Sequence, residues 1–152
     1  MNKLGPIVVI DNDLDDLDLI GDALQSTKVN NKILLFSRAT EFLKYMREDN
    51  ESAFFILCDI NMPNMDGIEL FKIISGDPYL SANCFPFLFF STSAGHNQIE
   101  KAYEMNIQGY FKKPSTFDGL ILMLEGIIAY WDNSFHRAVS GKKSFREVDA
   151  LQ

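Results

Sequence analysis

The sequence is poor in cysteine and in basic residues, and each shortage excludes a class of protein. Its two cysteines, Cys58 and Cys84, show no CxxC or Cys/His spacing, so neither a thiolate metal site nor a disulfide framework is expected. Lysine and arginine total 14 against 21 acidic residues, and the resulting net charge of −7 would repel a nucleic-acid backbone. No apolar run approaches the roughly 18 residues of a membrane-spanning helix. We therefore predict a cytoplasmic protein with reduced thiols that binds neither nucleic acid nor membranes.

What the sequence does contain is a series of short, continuous apolar runs at residues 7–10, 33–36, 54–58, 87–90 and 109–111. Runs of this length predict strands that are buried on both faces. Segments with helical spacing lie between them, such as Leu17, Ile20 and Leu24 after the first run. The alternation predicts an α/β fold, with a doubly wound parallel sheet of five strands and helices on both faces.

The length of 152 residues and the hydrophobic content of 47% fit one compact domain. We place this domain at residues 1–131. Beyond Trp131 the composition turns polar and basic, so residues 132–152 are predicted to be either a C-terminal tail or a short docking segment. Residues 76–83, before the fourth strand, are predicted to be a surface loop.

Polar side chains follow four of the predicted strands. Asp11 and Asn12 follow the first, Asp59 the third, Ser91 the fourth and Lys113 the fifth. Ligands bind beyond the carboxyl ends of parallel strands, so we expect these side chains to converge. Converging carboxylates favour a hard cation such as Mg²⁺. Mg²⁺ and the ammonium of Lys113 can neutralise phosphoryl oxygens while the hydroxyl of Ser91 donates to a third, and Asp59 then becomes a competent nucleophile.

The most specific stretch of the sequence is Asp59-Ile60-Asn61-Met62-Pro63-Asn64-Met65-Asp66-Gly67. Together with Asp11, Ser91 and the pair Lys113-Pro114, it resembles the receiver domains of bacterial two-component response regulators, of which the single-domain chemotaxis receiver is the best-known member. The resemblance covers about residues 5–131. It implies a flavodoxin-like sheet with strand order 2-1-3-4-5. It also implies a cis peptide bond between Lys113 and Pro114.

The resemblance implies a role for each site residue. Asp59 would accept a phosphoryl group from a sensor histidine kinase or a phosphotransfer protein. Ser91 would be the switch hydroxyl, Lys113 would contact the phosphoryl group, and Tyr110 would be the aromatic side chain whose rotamer follows activation. Such a domain is not an enzyme in the ordinary sense, although it takes part in phosphoryl transfer and in its own dephosphorylation.

The resemblance further implies that Mg²⁺ is bound by Asp11, Asp59 and the backbone carbonyl of Asn61. Asn12 departs from the family pattern, which usually places a second acid at this position. We therefore expect Asn12 to be a weak or indirect ligand and the affinity for Mg²⁺ to be lowered, with Asp13 as an alternative source of charge.

Other charged residues are predicted to have ordinary roles. Asp15, Asp16 and Asp18 should form a solvated helix face near the positive end of the helix dipole, and they are not expected to be ligands. Lys112 should be a surface charge, because only Lys113 directly precedes Pro114.

The leading hypothesis is a stand-alone response regulator that signals through protein–protein contacts. The face that would change is formed by the helix after the fourth strand, the fifth strand and the last helix. The downstream target is unknown, and homodimerisation on activation is left open. The alternative is a receiver-like interaction module that works without phosphorylation. A flavin- or nucleotide-binding enzyme is disfavoured, because Asp11-Asn12-Asp13 is not a glycine- or hydroxyl-rich phosphate loop.

Overall fold

The computed structural model describes residues 1–92 and 95–135. Strands and helices alternate in the order β1 (Ile7–Ile10), α1 (Leu14–Ser26), β2 (Ile33–Phe36), α2 (Ala39–Arg47), β3 (Phe55–Cys58), α3 (Gly67–Gly76), α4 (Pro78–Asn83), β4 (Phe87–Ser91), α5 (His96–Glu104), β5 (Gly109–Lys112) and α6 (Phe117–Asp132). The strands form one five-stranded parallel sheet in the order β2-β1-β3-β4-β5. The predicted doubly wound α/β fold and its strand order are confirmed.

The sheet separates two apolar layers, since successive side chains of a strand point to opposite faces. On β3, for example, Leu57 packs towards α1 and α6, whereas Ile56 packs towards the helices on the other face. The central strands β1, β3 and β4 are buried at every residue. The expectation of full burial is wrong for β2 and β5, which are only partly buried because they lie at the sheet edges.

The prediction of a surface loop at residues 76–83 is wrong, because Pro78–Asn83 forms the short helix α4. Asp77 caps this helix by accepting hydrogen bonds from the backbone N–H groups of the two residues after Pro78, and proline is favoured at a first helical position. Leu80 is fully buried. The Asn83 side chain is also buried, and it hydrogen-bonds Ser52.

The expectation of a cis peptide bond before Pro114 is also wrong. Among residues 1–92 and 95–135, the cis bond precedes Pro86 instead. The N–H of Lys113 donates to the carbonyl of Ser91 at 2.8 Å, so strand pairing continues up to Pro114. Residues before proline favour this extended backbone.

No helix in the described part of the chain is long and apolar enough to cross a membrane. Helix α6 ends at Asp132, and residues 136–152 lie outside the described residues. The domain boundary at residue 131 and the choice between a tail and a docking segment therefore stay predictions.

Candidate functional site

The carboxyl ends of β1, β3 and β5 bring two carboxylates and one ammonium group together. The Nζ atom of Lys113 donates a hydrogen bond to Oδ2 of Asp11 and lies 3.6 Å from Oδ2 of Asp59. The positions of the strand ends predicted that these three side chains would converge, and they do. Asp11 and Lys113 meet although they are 102 residues apart in the sequence.

The sheet itself places these side chains. The N–H of Asp11 donates to the carbonyl of Phe36 at 3.0 Å, and the N–H of Asp59 donates to that of Ile10 at 2.9 Å. Each aspartate thus extends the strand ladder by one residue. Because β1 and β3 are adjacent and parallel, the two carboxylates leave the sheet side by side.

The electrostatics of the site follow from its burial. Only 1% of the Asp11 side chain is exposed, and burial raises the pKa of Asp11, although the hydrogen bond from Lys113 opposes this change. Burial alone would lower the pKa of Lys113, but its hydrogen bonds to Asp11 and Asp16 and the nearby charge of Asp59 raise it. Lys113 is therefore a charged ammonium at neutral pH, surrounded by carboxylates.

Asp16 is a site residue that the sequence interpretation missed. Its Oδ2 atom lies 3.0 Å from Nζ of Lys113. The prediction of a solvated face suits Asp15 and Asp18, which are exposed, but it is wrong for Asp16, which is partly buried. Helical spacing alone did not distinguish Asp16 from its neighbours, because the contact depends on where β5 ends.

Asn12 and Asp13 take different positions. Asn12 is exposed and lines a cleft of about 540 Å³ beside the site, together with Arg38 and Pro63 among others. Asp13 caps α1, and its side chain accepts the backbone N–H groups of Asp15 and Asp16. The cap uses only Oδ1 of Asp13, so it orients this carboxylate without engaging Oδ2.

Asn61 and Ser91 border the site on the side of β3 and β4. The Asn61 side chain is exposed and accepts a hydrogen bond from Nε2 of Gln98 at 3.1 Å, which leaves its backbone carbonyl as the predicted metal ligand. Ser91 is the last residue of β4 and is 1% exposed. Thr92 after it is exposed. The predicted roles of Asn61 and Ser91 stay predictions.

Tyr110 lies on β5 with its ring turned inwards. The ring packs edge-on against Phe89 with centroids 5.9 Å apart. Its hydroxyl is buried and has no hydrogen-bond partner in the described part of the chain. Burial raises the pKa of Tyr110, and the charge of Asp59 adds to this effect. Burying a tyrosine hydroxyl without a hydrogen-bond partner lowers the stability of the folded state.

We expect Tyr110→Phe to raise the free energy of unfolding by about 1 kcal/mol, because it removes a buried polar group that lacks a partner. Urea unfolding would measure the change. Tyr103→Phe is the matched control, since Tyr103 is 55% exposed and should leave stability unchanged. A loss of stability in Tyr110→Phe would mean that the hydroxyl is paired in solution.

A family model described as the response regulator receiver domain matches residues 7–125. The chain belongs to this family. Receiver domains are signalling domains of two-component systems, so the identification by resemblance is confirmed.

The chain shares less than a third of its aligned residues with two individual receiver proteins. The chain is 22% identical to response regulator Rcp1 of Synechocystis sp. over 130 residues, which cover 82% of this chain and 87% of that protein. It is 28% identical to chemotaxis protein CheY-3 of Vibrio cholerae over 116 residues, covering 76% and 85%.

Solved structures give the same family. The phosphorylated cyanobacterial phytochrome response regulator RcpA superposes with a TM-score of 0.74 at 26% identity, covering 86% of this chain and 96% of that one. The Mn²⁺-bound form of Rcp1 superposes with a TM-score of 0.73 at 20% identity over the same shares, which shows a common fold.

Receiver domains typically bind Mg²⁺, and the donor set of this chain fits that ion. Mg²⁺ is bound through one or two carboxylates and keeps several waters, and Asp11 and Asp59 supply two hard oxygen donors. In residues 1–92 and 95–135, no group of three histidine, cysteine, aspartate or glutamate side chains is arranged to hold a metal. A magnesium ion here would therefore also need backbone or water oxygens.

Proposed function

We propose that this receiver is a stand-alone response regulator in which Asp59 accepts a phosphoryl group from a phosphohistidine of a histidine kinase or phosphotransfer protein. The observation that carries the proposal is the position of Lys113, whose Nζ atom lies 3.6 Å from Oδ2 of Asp59. The other carboxylate oxygen, Oδ1, accepts the N–H of Ile60 at 2.8 Å. Oδ2 is thus the oxygen that faces a cation, and 12% of the Asp59 side chain is exposed.

In the proposed transfer, a carboxylate oxygen of Asp59 attacks the phosphorus atom. A P–O bond forms, the P–N bond to the imidazole breaks, and the imidazole leaves with the bonding electron pair. Lys113 neutralises charge on the phosphoryl oxygens, and the Ser91 hydroxyl donates to one of them. Mg²⁺, held by Asp11, Asp59 and the carbonyl of Asn61, would supply further positive charge. Hydrolysis of the acyl phosphate then resets the site.

The direct test is intact-mass analysis after incubation with Mg²⁺ and a small-molecule phosphodonor. We expect the wild type to gain one phosphoryl group and Asp59→Ala to gain none. Asp18→Ala, which removes an exposed aspartate from α1, is the control and should be phosphorylated like the wild type. An adduct that persists in Asp59→Ala would place the acceptor elsewhere, and no adduct on the wild type would contradict the proposal.

Asn12 is expected to affect the affinity for Mg²⁺. We expect Asn12→Asp to tighten Mg²⁺ binding by about fivefold or more, because two unit charges about 4 Å apart already attract by about 1 kcal/mol in water and Mg²⁺ is divalent. Calorimetry would measure the affinity. Gln25→Glu makes the same amide-to-acid change at an exposed position near the end of α1 and should have no effect. Equal affinities for wild type and Asn12→Asp would exclude Asn12 from the metal shell.

The output of this regulator would be a change in protein–protein contacts on the face formed by α5, β5 and α6, triggered by Ser91 and Tyr110. The downstream partner is unidentified, and a homodimer is one form that such contacts could take. A cytoplasmic location suits the proposed exchange with a histidine kinase or phosphotransfer protein.

One observation favours a second candidate, a receiver that works without phosphorylation. Asn12 supplies no charge where the family usually has an acid, and it is exposed on the wall of the neighbouring cleft. Absence of an adduct at millimolar Mg²⁺ would favour this alternative.

A further inference from the structure

Lys113 has one carboxylate partner more than its predicted role requires. Asp11 and Asp59 belong to the predicted site, but Asp16 also contacts the ammonium group, with Oδ2 3.0 Å from Nζ. Asp16 is thus closer to Lys113 than the proposed phosphoacceptor is. The four side chains carry three negative charges and one positive charge.

The capped start of α1 holds Asp16 in place. The Asp13 side chain accepts the backbone N–H of Asp16 at 3.1 Å, which fixes the first turn of the helix beside the end of β5. Asp15 lies in the same turn and is exposed. The ion pairs of Lys113 in the described residues are with Asp11, Asp16 and Asp59. Contact with Lys113 therefore depends on the position in the turn, and it is not shared by the acidic face as a whole.

Breaking the ion pairs of Lys113 would cost different amounts of free energy for different partners. An ammonium group has three N–H donors, and Lys113 donates to Asp11 and Asp16, whereas Asp59 is held only as an ion pair at 3.6 Å. The Asp11 side chain is 1% exposed, so breaking its pair would leave a buried charge without compensation. The Asp16 side chain is 32% exposed, and water can replace the ammonium there at small cost. Asp16 is the partner that Lys113 can give up.

We propose that Asp16 is a positioning residue that restrains Lys113 in the unphosphorylated state and competes with the incoming phosphoryl group for its ammonium. This inference rests on the proposed function. The hydrogen bonds to Asp11 and Asp16 hold Nζ 3.6 Å from Oδ2 of Asp59, so a phosphoryl oxygen on Asp59 would compete with Asp16 for the charge and the position of the ammonium group. Asp16 would then slow phosphorylation without touching the reacting atoms.

The test compares Asp16→Asn with Asp15→Asn, which makes the same charge change one residue earlier. Both variants and the wild type are incubated with Mg²⁺ and a small-molecule phosphodonor, and the initial rate of phosphorylation is followed by intact mass. We expect Asp16→Asn to react about threefold to tenfold faster than the wild type, which corresponds to one charge-assisted hydrogen bond that is partly exposed. Asp15→Asn should stay within about twofold of the wild type.

Measurements at high salt distinguish the loss of the Asp16–Lys113 contact from a general loss of negative charge. Repulsion of an anionic donor by exposed charges is largely screened at 0.5 M salt, where the Debye length falls to about 4 Å. A gain that persists at high salt supports competition for Lys113. A gain that disappears at high salt, or that Asp15→Asn reproduces, would overturn it, as would a slower Asp16→Asn.

A second measurement is Mg²⁺ affinity by calorimetry without a phosphodonor. If Asp16 acts on Lys113, Asp16→Asn and Asp15→Asn should change the affinity equally, within about twofold. A loss more than tenfold greater in Asp16→Asn would make Asp16 a metal ligand and overturn the positioning role. A wild type that takes no phosphoryl group would overturn the proposed function together with the role of Asp16. A phosphorylated wild type matched by Asp16→Asn would overturn the role of Asp16 alone.

Discussion

Replacing Lys113 by methionine is expected to lower the free energy of unfolding by about 3–5 kcal/mol, because removing one partner of a buried ion pair leaves the other charge uncompensated. The side chains of Lys113 and Asp11 are only 6% and 1% exposed, so water cannot take over the role of the ammonium group. We also expect phosphorylation of Asp59 to be lost, since no fixed cation would remain near Oδ2. Urea unfolding and intact-mass analysis measure the two effects.

The stability loss should depend on pH in a defined direction. The pKa of Lys113 is raised by folding, so its stabilising contribution is fully present below the unfolded pKa and is lost only as the pH rises through the folded pKa. At pH 5–8 the wild type therefore keeps the whole contribution. In Lys113→Met, Asp11 loses the hydrogen bond that opposes the effect of burial, so its pKa should rise further. The folded variant then takes up a proton as the pH falls, and its stability deficit should be smaller at pH 5 than at pH 8.

Two variants make this expectation specific. Lys112→Met changes the exposed neighbour and should alter stability by no more than about 0.5 kcal/mol. Adding Asp11→Asn to Lys113→Met removes the uncompensated charge and should recover part of the loss. If Lys113→Met were as stable as the wild type at pH 8, the ion pair with Asp11 would not form in solution.

Replacing Gly67 by alanine is expected to destabilise the protein by about 1–3 kcal/mol and to reduce phosphorylation, because the new methyl group would press on the site. A Cβ atom at Gly67 would clash with the carbonyl oxygen of Asp59 and would lie 3.0 Å from Cα of Ile60. The N–H of Gly67 also donates to the carbonyl of Ile60 at 2.9 Å, which prevents the start of α3 from moving away freely. Relief of the clash would have to move the backbone of the proposed phosphoacceptor.

Gly76 provides the matched control, since it ends the same helix. A Cβ atom at Gly76 would meet no atom within 4 Å. Gly76→Ala should therefore be neutral or stabilising by about 0.5–1 kcal/mol, because alanine loses less backbone freedom on folding than glycine. Urea unfolding compares the two variants, and intact mass after incubation with the phosphodonor reports on the site. Equal stability and equal phosphorylation of Gly67→Ala and Gly76→Ala would contradict the close approach at Asp59.

The parts of the fold that local sequence patterns encode were predicted, and the other parts were missed. Short apolar runs bounded by polar residues predicted the central strands, and β1 was predicted at the residues where it occurs. The six-residue helix α4 was missed because it is too short for helical periodicity to be recognised, although Asp77 and Pro78 are typical of a helix start. The partial exposure of β5 was missed because a continuous apolar run does not say whether a strand lies at a sheet edge.

The candidate site was predictable as a set of strand ends. Asp11, Asp59 and Lys113 each follow a strand, and parallel strands in this order must place those residues at one edge of the sheet. The resemblance to receivers added the order of the strands and the roles of Ser91 and Tyr110. It also led to one wrong expectation, the cis bond before Pro114.

The sequence by itself determined the strand ends and therefore the presence of two carboxylates and an ammonium group in one place, because strand length and strand exit are local properties. Only the tertiary structure decided which acidic residue of α1 reaches that ammonium. Asp15, Asp16 and Asp18 have the same chemistry, and only Asp16 contacts Lys113, which lies 97 residues further along the chain. That contact depends on how the capped turn of α1 lies beside the end of β5, and no pattern within α1 encodes this arrangement.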